Sequence, residues 1–202
     1  MEERLNPGKS DTARIIGAAS FAAEKHRKQR RKDAAATPYI NHPLEVAQIL
    51  TEAGVEDSDV LIAAILHDTI EDTETTPEEL TAVFGERVCS LVLEVTDDKS
   101  LPKAERKRLQ VLNAPKKSAD AKLIKIADKI ANIRDLKASP PKWSEGRKAS
   151  YVLFAREVVH GCIRVSADLE ALFEKVVADL TLGKQPVRAS LRDPALRLGG
   201  AK

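Results

Sequence analysis

The spacing of apolar residues along the chain predicts a series of short amphipathic helices. Between residue 10 and about residue 30, residues that could face the core recur at helical spacing: Ile15, Ala19, Ala22 and His26. A repeat of three to four residues is typical of a helix with one buried face. The clearest stripe of this kind lies within residues 119–137 and consists of Leu123, Ile126, Ile130, Ile133 and Leu136.

Residues 60–66 are continuously apolar, a pattern that fits a buried strand and a buried helix equally well. The alanines and leucines in and around this run are good helix formers. No other segment of the sequence has a convincing strand pattern. We therefore interpret the run as a buried helix.

Prolines, glycines and capping residues indicate where the helices begin and end. Asn41-His42-Pro43 opens a helix that stops at Gly54, because proline suits the first helical position and glycine the position just past the end. Thr76-Pro77-Glu78-Glu79 resembles a capping box and begins a helix that ends near Gly85. Residues 33–41 are interpreted as a loop. Further helices are predicted over 86–96, after Pro102, and over 119–137, 144–160 and 162–182.

These elements predict an all-α fold, a single bundle of about eight to ten short helices over residues 11–182. Residues 1–10 are expected to form a tail, and so are residues 183–202, whose mixture of proline, glycine and arginine predicts irregular structure. The composition agrees with a helical fold. Aromatic residues make up only 3% of the chain, which argues against a β-sandwich or barrel. Apolar residues make up 43%, which argues against disorder.

Charge is nearly balanced overall, with a formal net charge of +2, but it is locally segregated. Residues 25–32 (KHRKQRRK) are strongly basic, and residues 68–79 (DTIEDTETTPEE) are strongly acidic. The basic run is open to three interpretations: an anion-binding rim, a solvated helix end, and a nucleic-acid patch. The last is disfavoured because no aromatic residues are interleaved with the basic ones.

Cys89 and Cys162 match no metal or redox spacing and are expected to be free, buried thiols. The first residues contain no apolar segment of the kind found in secretory signals. The longest apolar run, residues 60–66, is too short to span a membrane. We therefore expect a cytoplasmic protein without membrane association.

The pair His67-Asp68 follows the most apolar segment of the chain, and Glu71 and Asp72 come directly after it. If the helix continued for one more turn, these four side chains would share a face. A divalent cation would relieve the repulsion among the three carboxylates. A solvated acidic turn would relieve it as well, so both interpretations stay open.

Two further places offer metal ligands. His42 precedes Pro43 at a predicted helix start, where the helix dipole favours the neutral imidazole that a metal requires. Asp128 interrupts the regular helical pattern, and Asn132 and Asp135 follow it on the same stripe. Because aspartate and asparagine are poor residues for a helix interior, we expect a function for them, with surface exposure as the alternative.

The pattern of His42, the pair His67-Asp68, and Asp128 resembles that of the HD-domain metal-dependent phosphohydrolases. Longer blocks narrow this resemblance to the hydrolase domain of RelA/SpoT-type alarmone enzymes, in particular the small hydrolase-only form of the metazoan SpoT homologue type. The blocks span most of residues 11–182 and occur in the expected order: HRKQRRK (26–32), TPYINHP (37–43), AAILHDTIEDT (63–73), EVTDDKSLPKAERKRLQ (94–110) and KIADKIANIRDL (125–136).

The resemblance implies a role for each matching residue. The ligands of one Mn²⁺ would be His42, His67, Asp68 and Asp128. Glu71 and Asp72 would position or deprotonate the attacking water, and Asn132 would orient a ligand or a substrate oxygen. Substrate contacts are expected from Arg31, Lys32, Tyr39, Lys103, Arg106 and Tyr151.

The implied reaction is Mn²⁺-dependent hydrolysis of the 3′-pyrophosphate of ppGpp or pppGpp, which gives GDP or GTP plus pyrophosphate. One alternative keeps the metal site and acts on another nucleotide phosphate, such as the 2′-phosphate of NADPH. A second alternative, a non-catalytic nucleotide-binding module, is disfavoured because no proposed ligand is missing. The expected partner is therefore a small-molecule nucleotide, with neither nucleic acid nor membrane, and the sequence predicts no oligomeric state.

Overall fold

The computed structural model describes residues 10–181, and helices are its only extended regular elements in that range. The ten α-helices are α1 (Asp11–Lys25), α2 (Asn41–Glu52), α3 (Ser58–Leu66), α4 (Thr69–Asp72), α5 (Pro77–Phe84), α6 (Glu86–Val95), α7 (Lys103–Asn113), α8 (Ala119–Ala138), α9 (Glu145–Cys162) and α10 (Ala167–Thr181). A 3₁₀ turn, Ala114–Lys116, follows α7. Within the described range, β-structure is limited to one bridge between Arg30 and Pro38. The predicted all-α fold is confirmed.

The apolar run at residues 60–66 is helical, as predicted, and all seven of its side chains are buried in α3. Asp57 caps this helix, because its side chain accepts hydrogen bonds from the backbone N–H groups of Asp59 and Val60. A helix that is apolar all round must be buried on every side. This places the end of α3, and His67 after it, deep in the molecule.

The first helix ends earlier than the sequence predicted. α1 stops at Lys25, and His26 forms its C-cap, whereas the pattern predicted a helix to about Arg30. The residues after His26 are mostly basic and offer no apolar face for the core. Their backbone pairs instead with the segment before α2, through Arg31 N–H to Thr37 O (2.8 Å) and Tyr39 N–H to Gln29 O (3.2 Å).

The predicted start of α5 is confirmed. Pro77 occupies the first turn, and the Thr76 hydroxyl accepts a hydrogen bond from Glu79 N–H at 3.2 Å. The Glu79 carboxylate accepts from Lys25 Nζ at 2.6 and 2.8 Å. Glu79 therefore ties α5 to the end of α1, a tertiary role that the capping pattern did not predict.

Helix α8 is the centre of the bundle and contacts α2, α3, α6, α9 and α10. Of its predicted apolar stripe, Ile126, Ile130, Ile133 and Leu136 are buried. The polar residues Lys125, Asp128 and Lys129 are buried as well. Charged side chains are rarely buried without partners, so this stretch of α8 is where a functional site is expected.

Both cysteines are free and buried, as predicted. The predicted tails, residues 1–10 and 183–202, lie outside the described residues except for Ser10, which caps α1. Among the described helices, none is both long enough and apolar enough to cross a membrane.

Candidate active site

Three buried side chains from separate elements converge at one point. His42 lies in the first turn of α2, His67 directly follows α3, and Asp128 lies in the middle of α8. One potential ligand atom from each residue lies within 4.8 Å of the other two. Contacts of α8 with both α2 and α3 hold the three residues together.

The fourth predicted ligand, Asp68, adjoins both histidines. Its Oδ2 atom lies 3.0 Å from His67 Nε2 and 3.9 Å from His42 Nε2. The Tyr39 hydroxyl donates a hydrogen bond to the same oxygen at 2.5 Å. The structure thus places all four predicted ligands in one cluster, in which three are buried and Asp68 is partly buried. Tyr39, a predicted substrate contact, holds Asp68 in place.

The hydrogen bonding of His67 fits a divalent cation. His67 Nδ1 lies 2.8 Å from the Ala64 carbonyl oxygen, which can only accept, so Nδ1 carries the hydrogen. In the neutral ring, Nε2 then carries a lone pair that points toward Asp68. This nitrogen has no hydrogen-bond partner among the described residues. His42 differs: its Nε2 faces Asp128 Oδ1 at 3.2 Å, and its Nδ1 has no hydrogen-bond partner among the described residues. A backbone carbonyl that orients a ligand histidine is common at metal sites.

Neighbouring charges shift the pKa values of the ligand residues. Burial disfavours the imidazolium form of His67, but the Asp68 and Asp128 carboxylates together outweigh burial and raise the pKa of His67 to about 9. Burial favours protonation of Asp68, but His67 and His42 together outweigh burial and hold the pKa of Asp68 below its usual range. Because metal binding requires a neutral imidazole, a cation at this point would displace the His67 proton.

Lys129 is a buried member of the site that the sequence analysis missed. Its Nζ lies 2.9 Å from Asp128 Oδ2, and its side chain is almost fully buried. Burial opposes the charge on Asp128, but Lys129 and His42 outweigh it, so the pKa of Asp128 lies well below its usual range. In the sequence, its one distinguishing feature is that it directly follows Asp128.

The polar stripe of α8 forms one connected network. Asn132 Nδ2 donates to Asp128 Oδ1 at 2.5 Å, and Arg31 Nη2 donates to Asn132 Oδ1 at 3.0 Å. Arg31 also pairs with Asp135. Because Asp128 is only 7% exposed, surface exposure does not explain its presence in the helix. The fold thus joins Asp128, Asn132 and Asp135 in one network, in which Arg31 contacts Asn132 and Asp135.

Glu71 and Asp72 lie on the separate short helix α4, because α3 ends at Leu66 and does not continue past the histidine. Glu71 Oε2 accepts from Asp97 N–H at 3.1 Å, and Glu71 Oε1 lies 3.4 Å from Arg106 Nη1. Burial, together with the nearby Asp68 carboxylate, raises the pKa of Glu71.

Asp72 is held from two sides by residues that the sequence analysis did not single out. Gln29 Nε2 donates to Asp72 Oδ2 at 2.9 Å. Lys99 Nζ pairs with Asp72 Oδ1 and lies 3.8 Å from Glu71 Oε1. Each of the two carboxylates therefore already faces a positive or donating group.

Charge interactions connect the remaining predicted substrate contacts to the site. Lys103 interacts with Lys32 and Arg106, and Tyr151 interacts with Lys129 and Asp128. Lys32 and Lys103 are largely exposed, and the burial of part of Lys103, together with the charges of Arg147 and Lys32, lowers the pKa of Lys103. Burial raises the pKa of Tyr151 to about 12 despite the nearby charge of Lys129. Arg147, whose guanidinium lies 4.3 Å from the centre of the Trp143 ring, is a further cation near Lys103 that the sequence analysis missed.

An all-helical domain in which two histidines and two aspartates cluster is the arrangement expected of the HD class of proteins. The family model for the HD domain matches residues 18–156, and the chain belongs to the HD-domain family. It is similar to guanosine-3′,5′-bis(diphosphate) 3′-pyrophosphohydrolase MESH1 of Xenopus tropicalis, with 55% identity over 172 residues, 84% of this chain and 96% of the relative. The corresponding Homo sapiens MESH1 is 56% identical over 163 residues, 80% of this chain and 91% of the relative.

A solved structure gives the same result. The structure of a metazoan orthologue of SpoT, described as hydrolysing ppGpp, matches with a TM-score of 0.82 and 46% identity, covering 87% of this chain and 99% of that one. The relatives are covered almost from end to end. The predicted resemblance to the small hydrolase-only form is therefore confirmed.

Proposed function

We propose that this protein hydrolyses the 3′-pyrophosphate of ppGpp and pppGpp, releasing pyrophosphate and leaving GDP or GTP. The observation that carries the proposal is the buried convergence of His42, His67 and Asp128, with Asp68 beside both histidines. This cluster occurs in a chain 55% and 56% identical to two MESH1 proteins that are named as 3′-pyrophosphohydrolases of guanosine-3′,5′-bis(diphosphate).

The residues that would hold a divalent cation are His42, His67, Asp68 and Asp128. Two imidazoles and two carboxylates form a mixed nitrogen and oxygen donor set, which suits Mn²⁺ among the first-row ions. When bound, such a cation supplies Lewis-acid polarisation of a phosphoryl oxygen and lowers the pKa of a coordinated water.

Glu71 and Asp72 are the proposed water-activating carboxylates. A general base works best when its pKa is close to the working pH, and burial moves the pKa of Glu71 in that direction. Both oxygens of Glu71 are engaged, Oε2 with Asp97 N–H at 3.1 Å and Oε1 with Arg106 Nη1 at 3.4 Å. We propose Oε1, which has the longer contact, as the oxygen that accepts the proton. Asp72, fixed by Gln29, would hold the water in position.

The basic residues predicted as substrate contacts suit a polyanionic substrate. The lowered pKa of Lys103 reflects its partial burial and the neighbouring charges of Arg147 and Lys32, so these cations crowd one another. A bound pyrophosphate would relieve that repulsion and would also offset the carboxylates of the cluster. We propose Lys32, Lys103 and Arg106 as phosphate contacts, and Tyr151 as a contact to the rest of the nucleotide.

The direct test uses the purified protein, stripped of metal with a chelator and then reloaded with Mn²⁺. We expect pyrophosphate release from ppGpp by the reloaded protein and none by the stripped protein. The absence of release by folded, metal-loaded protein would refute the proposal. Comparison of kcat/KM for ppGpp with that for 2′-phosphate release from NADPH decides between the two substrates.

A further inference from the structure

His26 is a buried histidine that lies outside the cluster of metal ligands. It caps α1 and is 2% exposed. Its Nδ1 atom lies 2.6 Å from Gln29 Oε1, and Gln29 Nε2 donates to Asp72 Oδ2 at 2.9 Å. The side chains of His26, Gln29 and Asp72 therefore form a chain of two hydrogen bonds from the end of α1 to a proposed catalytic carboxylate.

The direction of both hydrogen bonds follows from the chemistry of the groups. An ionised carboxylate only accepts, so the amide nitrogen of Gln29 must face Asp72. The amide oxygen of Gln29 then faces His26, and it also only accepts. His26 must therefore carry a hydrogen on Nδ1. Burial lowers the pKa of His26, so the ring is neutral at pH 7 and Nδ1 holds its single hydrogen.

The neighbouring structure holds His26 and Gln29 in place. The His26 ring packs against the Tyr39 ring, with centroids 4.9 Å apart. Gln29 N–H donates to His26 O at 2.8 Å, and Tyr39 N–H donates to Gln29 O at 3.2 Å. The backbone of Gln29 is thus fixed on both sides, and the contact with Nδ1 fixes the end of its side chain.

Without this amide, the support of Asp72 would be less specific. Its other partner, Lys99, has a side chain that is 48% exposed and pairs with Oδ1. An exposed lysine is a mobile point charge and sets no preferred plane for a carboxylate. Gln29 is a directional donor to the opposite oxygen, Oδ2, and so defines where Oδ1 points.

We propose that His26 is a positioning residue: by donating from Nδ1 it fixes the Gln29 amide, which in turn sets the orientation of the Asp72 carboxylate. This inference rests on the proposed function, in which Asp72 holds the attacking water. A misplaced catalytic group lowers the rate of the chemical step more than it weakens substrate binding. Loss of the His26 donor is therefore expected to lower kcat and to leave KM nearly unchanged.

Two substitutions separate the donor from the shape of the side chain. His26→Phe keeps a ring against Tyr39 and removes the donor. His26→Asn leaves empty space, but its amide nitrogen can occupy the place of Nδ1 and donate to Gln29. With Mn²⁺-loaded protein and ppGpp, we expect kcat to fall about tenfold in His26→Phe and to stay within about threefold of wild type in His26→Asn.

The order of these two variants is the decisive result. If His26 were only a packing residue, kcat would follow the melting temperature, and the better-filled Phe variant would be the more active one. That order, or equal activity in both variants, would overturn the proposal. His160→Phe, at an exposed position of α9, is the matched control and should keep the wild-type kcat.

Two further measurements cover the case in which a His26 variant fails to fold. Gln29→Leu removes the same link, so its kcat should fall as in His26→Phe, and the double variant should be no slower than Gln29→Leu alone. If the kcat of the double variant fell by the product of the two single-variant effects, His26 and Gln29 would act independently, and the proposed hydrogen-bond chain would be contradicted. In the wild-type protein, ¹⁵N shifts of His26 should report the Nδ1–H tautomer. The Nε2–H tautomer would overturn the inference even if ppGpp proved not to be the substrate, whereas an inactive wild type refutes only the proposed function.

Discussion

Arg31 and Asp135 form an ion pair in which Nε and Nη2 of the guanidinium both donate to Oδ2, at 2.9 and 2.5 Å. The same Nη2 donates to Asn132 Oδ1 at 3.0 Å. Arg31 thereby links the segment before α2 to successive turns of α8. It also turns the amide nitrogen of Asn132 toward Asp128, so its position supports the cluster in addition to any contact with substrate.

Arg31→Lys is expected to lower kcat/KM for pyrophosphate release by about tenfold, because one ammonium group cannot replace a planar fork with several donors. The Asn132 amide would then lose the donor that fixes its orientation. Arg30→Lys, at the exposed neighbouring position, is the matched control and should leave kcat/KM unchanged. Equal activity of the two variants would show that Arg31 does not support the cluster.

His67→Ala is expected to lose the bound divalent cation and to reduce the rate of pyrophosphate release by about a hundredfold or more, because one ligand of the cluster is removed. His67 follows α3 and is not part of a helix interior, so the helical signal in circular dichroism should persist. Metal analysis of the purified variant, with the activity assay, checks both effects. A full complement of metal in this variant would contradict the ligand assignment.

The helices were largely predictable because their signals are local. The stripe in α8, the cap at Thr76 and the apolar run in α3 each lie within one segment and need no knowledge of the partner. The end of α1 was predicted too late because it depends on a distant segment. Arg30 pairs with Pro38, a choice that helical periodicity cannot reveal.

The same distinction applies to the site. His42, His67, Asp68 and Asp128 were predictable because the chemistry of metal ligation restricts the residue types, and the family pattern orders them. Lys129 was not predictable because its role depends on burial all around α8, which follows from the packing of five other helices. Gln29 and Lys99 were missed for a related reason, since a glutamine or lysine in a polar segment has no distinctive pattern.

Lys129→Met is expected to destabilise the metal-stripped protein. Removing one partner of a buried ion pair typically costs about 3–5 kcal/mol, and without Lys129 the Asp128 carboxylate keeps only the His42 ring and the Asn132 amide as partners among the described residues. Urea unfolding in the presence of a chelator measures the free energy of unfolding. Addition of Mn²⁺ should narrow the difference from wild type, because a cation can replace the lost positive charge beside Asp128.

The control for this change is Lys137→Met, at an exposed position of the same helix. Its free energy of unfolding should stay within about 0.5 kcal/mol of wild type, as for most surface substitutions. If Lys129→Met were as stable as Lys137→Met in chelator, the buried pair would contribute nothing to the fold.

Alanine substitutions at two glycines of α9 should change the free energy of unfolding in opposite directions. A Cβ added to Gly161 would lie 2.7 Å from Ala114 Cβ and 3.0 Å from Pro115 Cδ, so Gly161→Ala must push α9 away from the 3₁₀ turn. We expect a loss of about 1–3 kcal/mol. Gly146 has no atom within 4 Å of an added Cβ, and Gly146→Ala should gain up to about 1 kcal/mol from helix propensity. Thermal unfolding of both variants checks the signs, and a stabilised Gly161→Ala would contradict the close packing.

Asp57 is expected to make the stability of the fold depend on pH in the acidic range. Its carboxylate caps α3 and receives two hydrogen bonds from Arg87, at 2.9 and 2.7 Å. The Arg87 guanidinium holds the pKa of Asp57 below its usual range. A carboxyl group whose pKa is lower in the folded state stabilises the fold above its unfolded pKa of about 3.9. That contribution is lost as the pH falls through the lower, folded value.

Asp57→Asn isolates the charge, because asparagine is an equally good N-cap. At neutral pH the variant should be less stable than wild type by less than about 1 kcal/mol, since the pair is half exposed and Arg87 also contacts Asp59 and Asp120. Urea unfolding at a series of pH values should show this difference shrinking below about pH 4. Glu56→Gln, at the exposed neighbouring position, should stay within about 0.5 kcal/mol of wild type. A difference between Asp57→Asn and wild type that grew as the pH fell would mean that the Asp57 charge destabilises the fold, contrary to the pairing with Arg87.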